Sequence, residues 1–196
     1  VAGLSDFASA ALLNWALGVS PMPDSAATIV GSRFLALYTT APNDSGAGGV
    51  EVSAGTYARI QFAGSITVNG ATLTSSPTLH VASVPAWLAA LGTIANPGFG
   101  VNVYDLTTSA LIGTVSTCTG GGTTITLQAN AASAVGATDV LQFSAFPTAI
   151  ASSGAEPATV PGYSTNSSAI NYATSGASAW GTTVAFGVYD LLSGGN

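Results

Sequence analysis

Lysine is absent from this chain, and arginine occurs twice, as Arg33 and Arg59. Ten of the 196 side chains are charged, 5% against the roughly 25% usual in soluble domains. A compact monomer of this mass exposes roughly 8,400 Å², which leaves about one charge per 800 Å². Two arginines cannot build the basic patch that phosphate recognition needs, and the net charge of −6 repels it, so no nucleic-acid partner is expected. Sheet proteins commonly guard free edges with lysine; a β-rich chain without it must cover its edges by other means, and neighbouring subunits are one such means.

The single cysteine, Cys118, excludes an intramolecular disulfide. It ends an alternating run from Leu111 and has no basic neighbour in sequence to lower its pKa, so it reads as a small strand side chain rather than a reactive thiol. No run of about 20 apolar residues is present, so no membrane span is expected and the mean hydropathy of +0.51 reflects Ala, Val and Leu spread along the chain. Nothing basic precedes the first apolar run, so no secretory signal is expected, and Val1 suits a chain that has lost its initiator methionine or been trimmed.

What is abundant is small and apolar: 47% hydrophobic residues and 24 glycines. With so few charges, much of the surface must be uncharged Ser, Thr, Ala and Gly, or be covered by partners. Residues 4–17 predict the one helix, with Leu4, Phe7, Ala8, Ala11 and Trp15 on one face, Ser5 as N-cap, Asp6 at the positive end of the dipole and Gly18 as the stop. The Phe7/Trp15 face is expected to dock on a sheet, leaving Leu12, Leu13 and Leu17 for a broader burial or another subunit. Pro21 and Pro23 mark a connector. Arg33 to Thr39 then reads as a central strand apolar on both faces, Ala41 to Gly55 as a glycine-rich loop, and Thr56 to Phe62 as a returning strand.

From about Gly64 to Pro147 the texture is short β runs between turns: Ile66 to Val68, Leu79 to Val84, Phe99 to Tyr104, Leu111 to Cys118, Thr124 to Gln128 and Val140 to Phe143. A helical turn is expected after Pro85. Thr148 to Ser178 predicts an extended Ser/Ala/Gly/Thr-rich crossing with a short strand near Ala169 to Ala173. The chain closes on Trp180 to Asn196, in which Val184, Phe186 and Val188 alternate as a buried strand that turns at Ser193-Gly194-Gly195. This FGV, YDL pattern echoes Phe99 to Leu106, so one strand-then-turn unit is used twice. Pairing of the final strand with the early ones would make 64–147 an insertion between two parts of one sheet.

Few residues invite chemistry. His80, the one histidine, sits in a strand pattern and reads as facing solvent or a neighbour, not as a general base. Asp105 and Asp190 each follow a tyrosine at a strand end, which an Asx-type turn explains without convergence into a carboxylate pair. Asn43, Asp44 and Glu51 are the nearest approach to a calcium cluster but lack the regular spacing, and Asp44 before Ser45-Gly46 reads as a turn residue. Gly120-Gly121-Gly122 lacks the Lys-Ser/Thr of a phosphate cradle and predicts a hairpin. No catalytic, cofactor or metal residues are therefore assigned, and no enzyme activity is expected.

Three segments, SDFASAALLNWALG, FLALYTTAPNDSGAGGVEVSAGTYARIQF and WGTTVAFGVYDLLSGGN, together resemble a family of small virion proteins of tailed bacteriophages, over about half the chain. Its members are described as tail-fibre-like or head-decoration proteins. The inner block from Phe99 to Ser144 looks like a small β module that recurs in phage structural proteins. The resemblance implies a structural particle protein and carries over no catalytic residue. Relatives run on past GGN into a further strand, so a final strand is expected either to be missing here or to come from a neighbour. The expected architecture is mainly β: a jelly-roll-like sandwich of residues 1–63 with 148–196, one N-terminal helix, and an inserted β module at 64–147. The expected function is capsid decoration or cement, binding the major capsid protein or other virion proteins as a homo-oligomer, possible as a trimer. The alternative is a tail-fibre or receptor-binding protein, although these 196 residues carry no repetitive shaft.

Overall fold

The computed structural model describes residues 6–19, 31–43, 47–146, 166–172 and 178–192, with side chains from Ala11 onward. In chain order the elements are helix α1 (Asp6–Ala16), strands β1 (Arg33–Thr40), β2 (Val50–Glu51), β3 (Ile60–Thr67) and β4 (Thr78–His80), and the helical turn α2 (Ala86–Ala89). Strands β5 (Asn102–Asp105), β6 (Ala110–Cys118), β7 (Thr124–Leu127), β8 (Val140–Ser144) and β9 (Ala185–Tyr189) follow. The fold is mainly β, and the nine strands among the described residues join in one antiparallel sheet.

Most of that sheet rolls up on itself. The strands run in the order β3-β8-β5-β6-β7-β4, and the two ends then meet: Val68, just past β3, bridges Val81, just past β4, while the Asn69 N–H donates to the His80 carbonyl at 2.8 Å. Rolling gives each strand an inner face, and that face holds the main core, including Phe62, Leu79, Ile112, Ile125, Leu141 and Phe143, all fully buried. Each such side chain contributes about 1.5–3 kcal/mol. Leu88 of α2 and Leu91 beyond it join this core. Trp87 packs over β3 at Gly64, where a Cβ would stand 3.0 Å from the indole ring.

Outside the roll, β1 is flanked on one edge by β3 and β2 in succession and on the other by β9. Strand β3 serves both parts, bonding β1 through residues 60–63 and β8 through residues 63–67. The boundary expected between residues 63 and 64 thus falls inside one continuous strand. β1 alternates as expected, with Phe34, Ala36 and Tyr38 buried and Leu35 and Leu37 half-buried opposite them. The returning strand starts at Ile60 rather than Thr56, because the chain leaves β1 after the Val52 N–H has donated to the Leu37 carbonyl at 2.9 Å, and the Tyr57 hydroxyl takes the Leu37 N–H in its place.

The helix stops where Gly18 predicts. Gly18 has φ +64°, its N–H donates to Trp15 and that of Val19 to Asn14, a Schellman closure that satisfies the last carbonyls. The Arg33 guanidinium donates to the Ala16 carbonyl and shares that of Trp15 with Gly18, and the Leu17 carbonyl accepts from Ser144 Oγ at 2.9 Å. The expected docking face needs correction: Trp15 is 37% exposed, and the helix end is held instead through Asn14, Leu17, Gly18 and Val19. Ser5 and the Phe7 side chain lie outside the described residues, as do Pro21, Pro23, Asp44 and Ser193-Gly194-Gly195.

Candidate interaction surface

The residues that carry the EVS-G-YAR pattern converge on one polar lock. Across the gap between β2 and β3, the Leu37 N–H of β1 donates to the Tyr57 hydroxyl at 2.9 Å, and that hydroxyl donates to Glu51 Oε1 at 3.0 Å. Arg59 grips the same carboxylate with two donors, Nε to Oε1 at 2.9 Å and Nη2 to Oε2 at 2.7 Å. Its third arm reaches the Leu191 carbonyl at 3.0 Å, and its guanidinium lies 3.7 Å from the centre of the Tyr189 ring. Tyr189 and Tyr38 share a hydroxyl–hydroxyl hydrogen bond. One arginine therefore ties β2, the 52–59 gap and the end of β9 together.

The electrostatics follow from the geometry. The hydrogen bond from Arg59 holds the Glu51 carboxyl below its usual range, and Glu51 in turn raises Arg59. Burial pushes the Tyr57 phenol up to about 12 and raises Tyr172 as well. Tyr57 stacks on Tyr172 with centroids 6.1 Å apart, Trp180 meets both edge-on, and the Tyr172 hydroxyl donates to the Leu35 carbonyl at 2.6 Å. The lock is a structural device with its donors and acceptors engaged.

None of the residues singled out for chemistry comes together with another to form a reactive centre among the described residues. Asp105 is fully buried and caps its own turn, accepting from the Thr107 and Thr108 N–H groups and the Thr108 hydroxyl. Asp190 is exposed at the end of β9, beside Arg33. His80 is exposed against Gly70. Cys118 is buried, and burial raises its thiol to about 11. Gly120 to Gly122 lie in the β6–β7 connection, Asn43 folds back to accept the Ala47 N–H, and Glu51 is held by Arg59. Among the described residues no three His, Cys, Asp or Glu side chains cluster to hold a metal, and no helix is long and apolar enough to cross a membrane.

Among the described residues, concavities open to solvent include a groove and a cleft. A groove of about 640 Å³ is lined by Ala89, Gly92, Thr93, Ile94, Pro97 and Asn171. A smaller cleft of about 290 Å³ lies between Trp15, Arg33, Tyr189 and Asp190. Arg33 is not free to receive a ligand there, since its guanidinium is spent on the carbonyls of Trp15, Ala16 and Ser32, and burial lowers its pKa.

The more informative surface is apolar and convex. β9 is not the buried strand its alternation predicts: Val184 is 59% and Phe186 69% exposed, and Leu191 and Leu192 beyond the strand are exposed too. Val184 and Phe186 share a face, and no charged residue occurs from Ser178 to Tyr189. The loop Ala41 to Gly55 presents exposed Val50, while the crossing Thr148 to Ser178 lies mostly outside the described residues. Its residues 166–172 form no strand and are latched to the roll, with the Ser167 hydroxyl donating to the Gly100 carbonyl at 2.7 Å and Asn171 Nδ2 to that of Gly92 at 2.9 Å. No family model matches this chain, and no characterised protein or solved structure matches it either.

Proposed function

We propose that this chain is a structural component of a tailed-bacteriophage virion, seated on the capsid as a decoration or cement protein that bridges neighbouring coat subunits as a homo-oligomer. The observation that supports it most is the surface: ten charges in the whole chain, no lysine, and large apolar side chains such as Phe186, Leu191 and Leu192 standing exposed. Such a surface suits extensive, largely uncharged contacts better than free solution. The resemblance of the three outer segments to virion proteins supplies the particle, and the jelly-roll-like arrangement of those segments around an inserted module belongs to the same reading.

Binding of this kind depends little on ion pairs, so it should withstand molar salt. Virions of the phage that encodes the chain, washed in molar salt and counted by quantitative mass spectrometry, test the proposal. Retention at a copy number in fixed ratio to the coat protein is expected. Release with the capsid intact, or labelling confined to the tail tip, overturns it, the latter in favour of a receptor-binding role.

A further inference from the structure

β9 differs from the other strands that end the sheet. Strand β2 has two residues and a shifted register against β1, and β4 is joined back to β3 through the Val68–Val81 bridge. β9 instead pairs with β1 through five consecutive residues without a register shift, from Phe34–Tyr189 to Tyr38–Ala185. Among the described residues no strand lies along its other edge. The strand itself carries none of the guards a sequence can supply: it has no bulge, no proline and no charge, and its exposed face carries Phe186, with Val184 just before it.

We propose that this edge pairs with β9 of a second copy of the chain, antiparallel about a two-fold axis at Gly187, so that the sheet continues from one protomer into the other. The strand is self-complementary in that register. Phe186 falls opposite Val188 of the second copy and Ala185 opposite its Tyr189, a bulky residue against a smaller one in each pair. Charge favours this meeting point as well. The chain carries a net charge of −6, but from Ser178 to Tyr189 it offers no charge to oppose another, and Asp190 falls opposite Val184. Arg59 holds the end of this edge in place through Leu191 and Tyr189, so the template is rigid before the partner arrives.

The size of the contact sets its strength. Val184, Phe186, Leu191 and Leu192 offer on the order of 400 Å² of exposed apolar surface per copy, about half of a standard interface's 800 Å² per partner, the rest coming from the strand backbone. A micromolar, concentration-dependent dimer is therefore expected. The pairing needs no virion and stands or falls apart from the capsid role.

Light scattering on the purified chain between about 1 and about 100 µM should show the mass rise toward twice that of the protomer. The double substitution Val184→Lys/Phe186→Lys places the missing guards on side chains that are already exposed. It should retain cooperative melting and weaken dimerisation at least tenfold. Hydrogen exchange supplies the second readout: β9 amides facing away from β1 should be protected in the dimer and lose that protection in the double variant. A monomer throughout the range, a variant that dimerises as well as the parent, or equal protection of those amides in a monomer, which would mean that the chain covers its own edge, each overturns the pairing.

Discussion

Glu51, Tyr57 and Arg59 show how much a single charge can organise when so few are present. The Arg59 side chain is 8% exposed and Glu51 27%, with two parallel N–H···O bonds between them, so the pair falls between a solvated surface bridge and a buried one. Glu51→Gln should cost about 1–3 kcal/mol in urea unfolding, and Arg59→Lys should recover little of the loss from Arg59→Ala, because an ammonium cannot form the fork or reach Leu191 as well. The pH dependence has a definite sign. Glu51 is held below its ordinary 4.5, so its contribution is complete above that pH and is lost as pH falls through the lower folded value. Tyr57 is raised from 10 to about 12, so its contribution holds below pH 10 and fades between 10 and 12; Tyr57→Phe should flatten that alkaline decline in a melting-temperature profile. The sequence did not announce this lock: Glu51 reads there beside Asn43 and Asp44, and its separation of eight positions from Arg59 by itself pairs nothing. What the spacing could not reveal is the missing rung between β2 and β3 that draws Tyr57 inward.

Elements were readable where a backbone requirement is local and misread where burial depends on distant packing. Gly18 is the local case. Its φ of +64° disfavours any residue with a Cβ, and that Cβ would stand 2.8 Å from Cβ of Ala63. Gly18→Ala should therefore destabilise by about 2 kcal/mol or more in chemical denaturation, with the main loss in docking of α1. A change confined to helix content, without loss of global stability, would contradict the view that this turn fixes the helix on β3. The helix face and the last strand are the opposite case. Trp15 and Phe186 both sit at apolar periodic positions, yet both are substantially exposed, because period reports which residues share a face and not whether anything lies against it. Leu111 to Cys118, Thr124 to Gln128 and Val140 to Phe143 match β6, β7 and β8 for the complementary reason, that their alternation and their burial in the rolled sheet coincide, whereas Ile66 to Val68 is no strand of its own but the end of β3, which runs on through Gly64, and Leu79 to Val84 is a strand only as far as His80.

For the whole molecule, the two parts of the sheet are unequally built. The main core lies almost wholly between Phe62 and Ala145, whereas Phe34, Ala36 and Tyr38 of β1 are buried outside that cluster, on the strand that the polar lock holds. Local opening follows the density of apolar contact, so the rolled strands should exchange their amides only through global unfolding and β1 and β2 through a smaller opening. Phe143→Ala, at a fully buried position, should cost about 3–5 kcal/mol and lower every protected amide together. Glu51→Gln should lower β1 and β2 while leaving β6 and β8 nearly unchanged, since no rolled strand depends on the lock for its pairing. Native-state hydrogen exchange resolves the two patterns. If Glu51→Gln instead speeds exchange equally in β1 and β8, the continuous hydrogen bonding through β3 couples the two parts into one cooperative unit, and the outer strands cannot be loosened without unfolding the roll.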